Sequence, residues 1–198
     1  MSNPLPLDAW ASRPVTEVAV SLLGSTLRHG LTTVRITEVE AYEGESDPAS
    51  HAHRGPTRRT QVMFGPPGRL YVYRSHGLHW CANIVCGPQG RASAVLLRGG
   101  DVIAGETEAR TRRGGVPYER LARGPGNLAS ALGLTGADSG ALLSRAPLHW
   151  RPASDPPGEV CRGPRVGVSG AADREWRFWL AGEPSVSAYR RSARAQPG

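Results

Sequence analysis

With 198 residues, 39% of them apolar, the chain can bury one sizeable core, and a single domain over residues 1–198 is expected. No apolar run approaches the roughly 18 residues that a bilayer span requires, and residues 1–6 lack a basic stretch leading into an apolar one, so we expect no membrane segment, no export and a cytoplasmic location. The net charge of +7 rests on 24 basic residues that are all arginine, which favours a polyanionic partner, although a GC-rich genome also enriches Arg, Ala, Gly and Pro together.

Residues 12–24 carry helical spacing: Val15, Val18, Ala19, Leu22 and Leu23 are apolar, Pro14 suits a first turn and Gly24 a stop. Strands follow near residues 26–28 and 34–42, joined across Gly30. Alternation places Val34, Ile36, Glu38, Glu40 and Tyr42 on one face of the second strand, a face that begins apolar and ends in two carboxylates and a phenol. An isolated buried carboxylate is costly, so this is either a strand running into a pocket or a solvated strand end. Residues 43–60 form a long polar loop in which acidic residues give way to His51, His53, Arg54, Arg58 and Arg59. Long loops inside compact domains are often functional.

Residues 70–73, 79–85 and 93–98 read as closely joined, mainly antiparallel strands. From 105 to 136 the chain turns to Arg-rich helical segments broken at Gly114-Gly115, Pro117 and Gly124-Pro125-Gly126. The final third returns to strands near 142–151, 165–168 and 176–180, and a tail disordered after about Tyr189 is expected. This pattern is of mixed α/β (α+β) class.

Cys81, Cys86 and Cys161 make no disulfide framework and suit a reducing compartment. Cys81 and Cys86, following His51, His53, His76 and His79, match no paired-cysteine or two-histidine zinc spacing, so neither a metal nor another cofactor is expected. Without lysine, a Schiff base with a sugar aldehyde would have only the α-amino group as nucleophile. Glu38 and Glu40, with Cα atoms roughly 6.6–7 Å apart on a strand, overlap the carboxyl spacing of inverting sugar hydrolases, although Cα spacing is not carboxyl spacing. Tyr42, Tyr73, His51 and His76, among Arg54, Arg58, Arg59, Arg69 and Arg74, fit a groove where bases stack and arginines hold phosphates. Tyr71 is read as core.

Taken in order, Thr37-Glu38-Val39-Glu40-Ala41-Tyr42, His51, Gly68-Arg69-Leu70-Tyr71-Val72-Tyr73, Asn83, Leu96-Leu97-Arg98, Arg123-Gly124-Pro125-Gly126-Asn127-Leu128 and Gly163-Pro164-Arg165-Val166-Gly167-Val168 resemble the alkyladenine (3-methyladenine) DNA glycosylase family. The resemblance runs from about Val15 to Ser187. It implies a curved, mainly antiparallel sheet with flanking helices, and a monomer acting on double-stranded DNA that contains damaged purines. It also implies roles. Glu40 would activate the water that attacks the sugar carbon, and Arg98 would help hold that water and the carboxylate. Tyr42, Tyr73 and His51 would sandwich the flipped base, Asn83 would crowd the exocyclic amino group of normal guanine, and the backbone at Val166 would read the base edge.

The chain departs from the family pattern at the wedge. His76 stands where a tyrosine commonly fills the vacated space and Leu78 where a larger apolar residue is frequent. An imidazole excludes less water, so the resemblance implies the same reaction with an altered damage search or substrate range. Two other readings are open: a non-catalytic nucleic-acid-binding module on the same scaffold, and a carbohydrate hydrolase using Glu38 and Glu40. Glu40 with Arg98 discriminates, because binding alone needs neither a buried base nor a positioned water.

Overall fold

The apolar positions of the first expected helix are spaced to cover one face, and that face is buried. In the computed structural model, which describes residues 6–196, α1 (Leu7–Ala11) leads into α2 (Val15–Leu22), whose Val15, Val18, Ala19 and Leu22 enter the core. The α-amino group lies outside the described residues.

The strands β1 (Thr26–His29), β2 (Thr32–Glu43), β3 (Leu70–Ser75), β4 (His79–Val85), β5 (Ser93–Ala104) and β7 (Leu148–Arg151) lie in the order β3-β4-β5-β2-β1-β7, every neighbouring pair antiparallel. The short β6 (Ala122–Arg123) adds to β5, and β9 (Arg177–Leu180) joins β2 while pairing with β8 (Val160–Gly163). The two long strands change partners midway: β2 pairs first with β1 and then with β9, and β5 first with β4 and then with β6. The sheet therefore curls. The helices α2, α3 (Glu106–Arg113) and α4 (Pro125–Leu132) pack against it.

The change of partner coincides with a change of register. Ile36 faces Gly100, Glu38 faces Gly99 and Val39 faces Leu97, so Thr37 on β2 and Arg98 on β5 are extra residues in the ladder. Bulges bend a strand and re-aim side chains. One consequence corrects the alternation read from sequence: Val34 and Ile36 share the core with Val39 and Ala41, not with Glu38 and Glu40. The extra residue at Thr37 moves Glu38, Glu40 and Tyr42 to the other face.

Two further expectations shift. The strand expected at 165–168 is a turn, and β8 lies upstream at Val160–Gly163, where the backbone can pair with β9. Of the stretch 142–151 only Leu148–Arg151 is strand. Beyond Tyr189, residues 190–196 carry no helix or strand, but the Arg190 carbonyl accepts the Gly167 N–H at 2.9 Å and the Gln196 N–H donates to the Ser169 carbonyl at 2.7 Å. The loop from residue 43 covers a second apolar cluster of Ala52, Met63, Tyr71, Val85, Ala92 and Ala94.

Candidate active site

The re-aimed face of β2 carries two fully buried carboxylates whose environments differ. Glu38 accepts from Arg177 Nε at 2.7 Å, Arg98 Nε at 3.2 Å, the Ser187 N–H at 2.7 Å and the Ser187 hydroxyl at 2.8 Å. Ser187 can reach it because position 99 is glycine: a Cβ there would stand 2.7 Å from the Ser185 carbonyl oxygen and 3.1 Å from Glu38 Cβ. Glu38 is a structural acceptor that ties the C-terminal segment across β2 and β5.

Glu40 holds fewer donors. Its Oε1 accepts the Val166 N–H at 2.7 Å, and its Oε2 accepts the Tyr42 hydroxyl at 2.8 Å and Arg98 Nη1 at 3.4 Å. A carboxylate offers about four lone-pair sites, so these bonds leave room for one more donor. Arg98 sits between the glutamates as the bulged residue of β5 and also reaches the Ser187 hydroxyl at 3.2 Å. Burial disfavours its charge, but Glu40 and Glu38 outweigh that and raise its pKa.

In front of Glu40 opens a cavity of about 520 Å³ lined by Tyr42, His51, Tyr71, Tyr73, His76, Asn83, Leu96, Arg98 and Val166. The volume falls within the roughly 300–1,000 Å³ of small-molecule sites. Tyr42, Arg98 and Val166 are at once wall residues and the donors on Glu40, so the carboxylate lies one layer behind the wall. Burial, and then the charge of Glu40, raise the Tyr42 pKa well above its ordinary value, so the phenol keeps the proton it donates.

Elsewhere in the lining the His51 ring meets Tyr73 edge-on with centroids 4.5 Å apart, and Tyr73 stacks on Tyr71 at 5.6 Å. The Tyr71 hydroxyl lies 3.2 Å from both His51 Nδ1 and Arg59 Nε, and the Arg59 guanidinium covers the Tyr73 ring at 5.0 Å. His51 is partly exposed to solvent, but the burial it does have, with the charge of Arg59, lowers its pKa to about 4. Its imidazole is therefore neutral at neutral pH. Burial likewise raises the Tyr73 pKa. Asn83 is fixed by donating its amide to the Tyr71 carbonyl at 3.0 Å.

The structure thus brings Glu40, Arg98, Tyr42, His51, Tyr73, Asn83 and Val166 together, and His76 reaches the same cavity from the tip of the β3–β4 hairpin. His76 and Gly77 both have positive φ, 50° and 69°, the backbone conformation that closes a tight hairpin turn. Leu78 is beside it, 71% exposed and outside the cavity lining. The Val166 N–H is directed at Glu40, which ties this turn to the carboxylate. Neither glutamate itself lines the cavity, but Glu38 is filled by donors from Arg98, Arg177 and Ser187, so the two do not face one substrate as the free carboxylate pair a sugar hydrolase needs. Among the described residues, no group of three or more His, Cys, Asp or Glu is arranged to hold a metal. Cys81 and Cys86 are buried, and burial pushes the Cys86 thiol up to about 12.

Sequence reasoning missed several supports. Arg165 is fully buried, forks onto the fully buried Asp47 with Nη2 at 2.8 Å from Oδ1, donates to the Ala41 carbonyl at 3.0 Å, and covers the Tyr42 ring at 4.7 Å. It fixes the ring from behind and holds the Val166 turn against β2. Its place beside Val166 in the Gly163–Val168 motif was the only signal; Asp47, 118 residues away, gave none. Arg177 and Ser187, the other partners of Glu38, carried no local signal either.

Comparison with known proteins adds to this geometry. Residues 9–184 match the family described as Methylpurine-DNA glycosylase (MPG). The chain is 54% identical over 183 residues to a Cutibacterium acnes protein, with 89% of this chain and 96% of that one covered. It is 54% identical over 187 residues to a Frankia casuarinae protein, covering 88% of each, and 52% identical over 190 residues to one from Mycobacterium sp., covering 92% of each. All three bear the name "Putative 3-methyladenine DNA glycosylase".

Proposed function

The chain belongs to the methylpurine-DNA glycosylase family, and from that premise we propose that it is a monofunctional glycosylase that extrudes alkylated or deaminated purines from duplex DNA and hydrolyses their N-glycosidic bond with water activated by Glu40. The observation that carries this reading is a buried carboxylate with one open acceptor site, held by Arg98, Tyr42 and Val166 directly behind an aromatic cavity.

A purine enters between the Tyr42 ring and the wall of Tyr73 and His51. Alkylation at a ring nitrogen makes the base cationic and a good leaving group, and electron-rich rings attract that cation. Neutral His51 adds no opposing charge. A neutral base such as hypoxanthine must be protonated as it leaves, so its rate depends more on acid. Water admitted at the wall formed by Tyr42, Arg98 and Val166 as substrate binds donates to the remaining site on Glu40 and attacks the anomeric carbon. General-base help of this kind contributes about 10²–10⁴-fold. Arg98 balances the carboxylate charge and keeps it aimed.

Asn83, locked to Tyr71, narrows the cavity against an exocyclic amino group. The backbone at Val166, in the cavity lining, reads the base edge. His76 enters the vacated duplex space, and flipping costs a few kcal/mol, less for a damaged or mispaired base. The protein acts as a monomer in the cytoplasm, needs no cofactor and leaves an intact abasic site, in keeping with a chain free of lysine. The test is single-turnover incubation with duplexes carrying one hypoxanthine or one alkylated purine, in chelator. Strand breaks appearing only after alkali are expected; breaks without alkali would contradict the monofunctional reading.

A further inference from the structure

Tyr42 and Tyr73, the two phenol rings assigned to the base, each carry a guanidinium, and the two guanidinium groups differ in charge balance. Arg165 covers Tyr42 at 4.7 Å and is neutralised by its fork onto buried Asp47. Arg59 covers Tyr73 at 5.0 Å, and the ion pairs found among the described residues do not include it. Its other contacts are with the same group of rings: Nε donates to the Tyr71 hydroxyl at 3.2 Å, and Nη2 stands 3.4 Å from each ring nitrogen of His51. A guanidinium can only donate, so this contact suits a neutral imidazole and not an imidazolium. Arg59 therefore touches three residues of the cavity lining without lining the cavity itself.

The arrangement sets an uncompensated positive charge one side chain away from the base. An aromatic face attracts a cation, but Tyr73 already holds one, and like charges repel across the ring. Solvent at the exposed guanidinium screens this repulsion without removing it. A cationic purine thus gains less from this part of the cavity than an uncharged purine of the same shape. The charge flow of the reaction points the same way. As the glycosidic bond breaks, its electron pair goes to the purine, the water oxygen bonds to the anomeric carbon and the water proton goes to Glu40. A cationic purine thereby loses its charge, whereas a neutral one develops negative charge that Arg59 attracts.

We infer that Arg59, acting through Tyr73 and His51, sets the charge selectivity of the cavity and favours uncharged purine lesions over cationic ones. This rests on the glycosylase reading for the nature of the substrate. The test is affinity and single-turnover excision at about pH 7 on duplexes carrying one hypoxanthine or one 7-methylguanine, for wild type, Arg59→Gln, Arg59→Lys and Arg58→Gln. Arg59→Gln should shift the ratio of the two lesions toward 7-methylguanine by roughly three- to tenfold. Arg59→Lys, which keeps the charge, should hold the ratio near wild type. Arg58→Gln, at an exposed neighbour, removes the same net charge and should leave the ratio unchanged. In an NMR titration, with the ring signals assigned by His51→Gln, His51 should protonate at higher pH in Arg59→Gln than in wild type.

Equal slowing on both lesions would assign Arg59 a structural role only and overturn the inference. So would a ratio that moves as far in Arg59→Lys as in Arg59→Gln, or a His51 titration that is the same in wild type and Arg59→Gln. If Arg59→Gln melts early, Arg59→Met repeats the comparison. Where wild type releases neither base, the glycosylase reading falls, while the affinity ratio and the His51 titration still decide the charge preference.

Discussion

Glu38 and Glu40 stand on one strand, both fully buried and both in contact with Arg98, and yet they serve opposite ends. Around Glu38 the protein closes: Arg177, Arg98 and both the amide and the hydroxyl of Ser187 converge on it, and the aromatic cavity does not reach it. Glu40, just as buried and also behind the lining, holds fewer donors, and those donors are themselves the wall of that cavity. Burial therefore does not tell the two carboxylates apart; what distinguishes Glu40 is an acceptor site left unfilled behind the cavity wall, and the proposed chemistry rests on that difference.

Exchanging each glutamate for its amide should separate the two regions. Glu40→Gln is expected to lower single-turnover excision by about 10²–10⁴-fold, the range of a missing general base, with duplex binding retained. Glu38→Gln is expected to act on stability, by about 3–5 kcal/mol in urea unfolding, because Arg98 and Arg177 lose the charge that compensates their burial. Equal activity losses without unfolding in the second variant would erase the distinction.

A smaller effect is expected from the phenol. Tyr42→Phe keeps the ring over Arg165 but removes the hydroxyl that orients Glu40. A hydrogen bond to a charged group is worth about 1.5–3 kcal/mol, so excision should slow by roughly ten- to a hundredfold, with duplex affinity unchanged.

The smallest effect concerns His51. Its pKa is about 4 folded, below the ordinary value of about 6.5, so the unfolded chain binds more protons between those values. Stability should therefore fall as pH drops from 6.5 toward 4 and level off below, and His51→Gln should flatten that part of the curve in thermal melts. Solvent at the exposed ring edge keeps the effect small. A curve that rises toward acid in wild type would contradict a neutral His51.

The part of this site legible in the sequence was the part written at short range. Glu40 and Tyr42 lie two apart on a strand, and they do meet. The hairpins before and after β4 followed from alternation and turn residues. Alternation failed where the ladder carried an extra residue: no periodicity reveals that Thr37 and Arg98 are bulged, and without that knowledge Val34 and Ile36 were assigned to the glutamate face. The role of Glu38 could not be read because its donors lie 60, 139 and 149 residues away. The resemblance to known glycosylases supplied the candidate site residues, but not Arg165 and Asp47, which hold the site from behind. The strand expected at 165–168 shows the same limit, since the short apolar run there serves a turn that delivers the Val166 N–H to Glu40.

The role of Glu40 as the base is tested most directly by comparing wild type and folded Glu40→Gln at enzyme excess, on one duplex bearing a single hypoxanthine and another bearing an alkylated purine, with binding measured on the same preparations. Wild type should yield abasic product on at least one lesion, and Glu40→Gln should lose that product with affinity intact. Wild-type rates of excision by Glu40→Gln would remove that carboxylate from the chemistry.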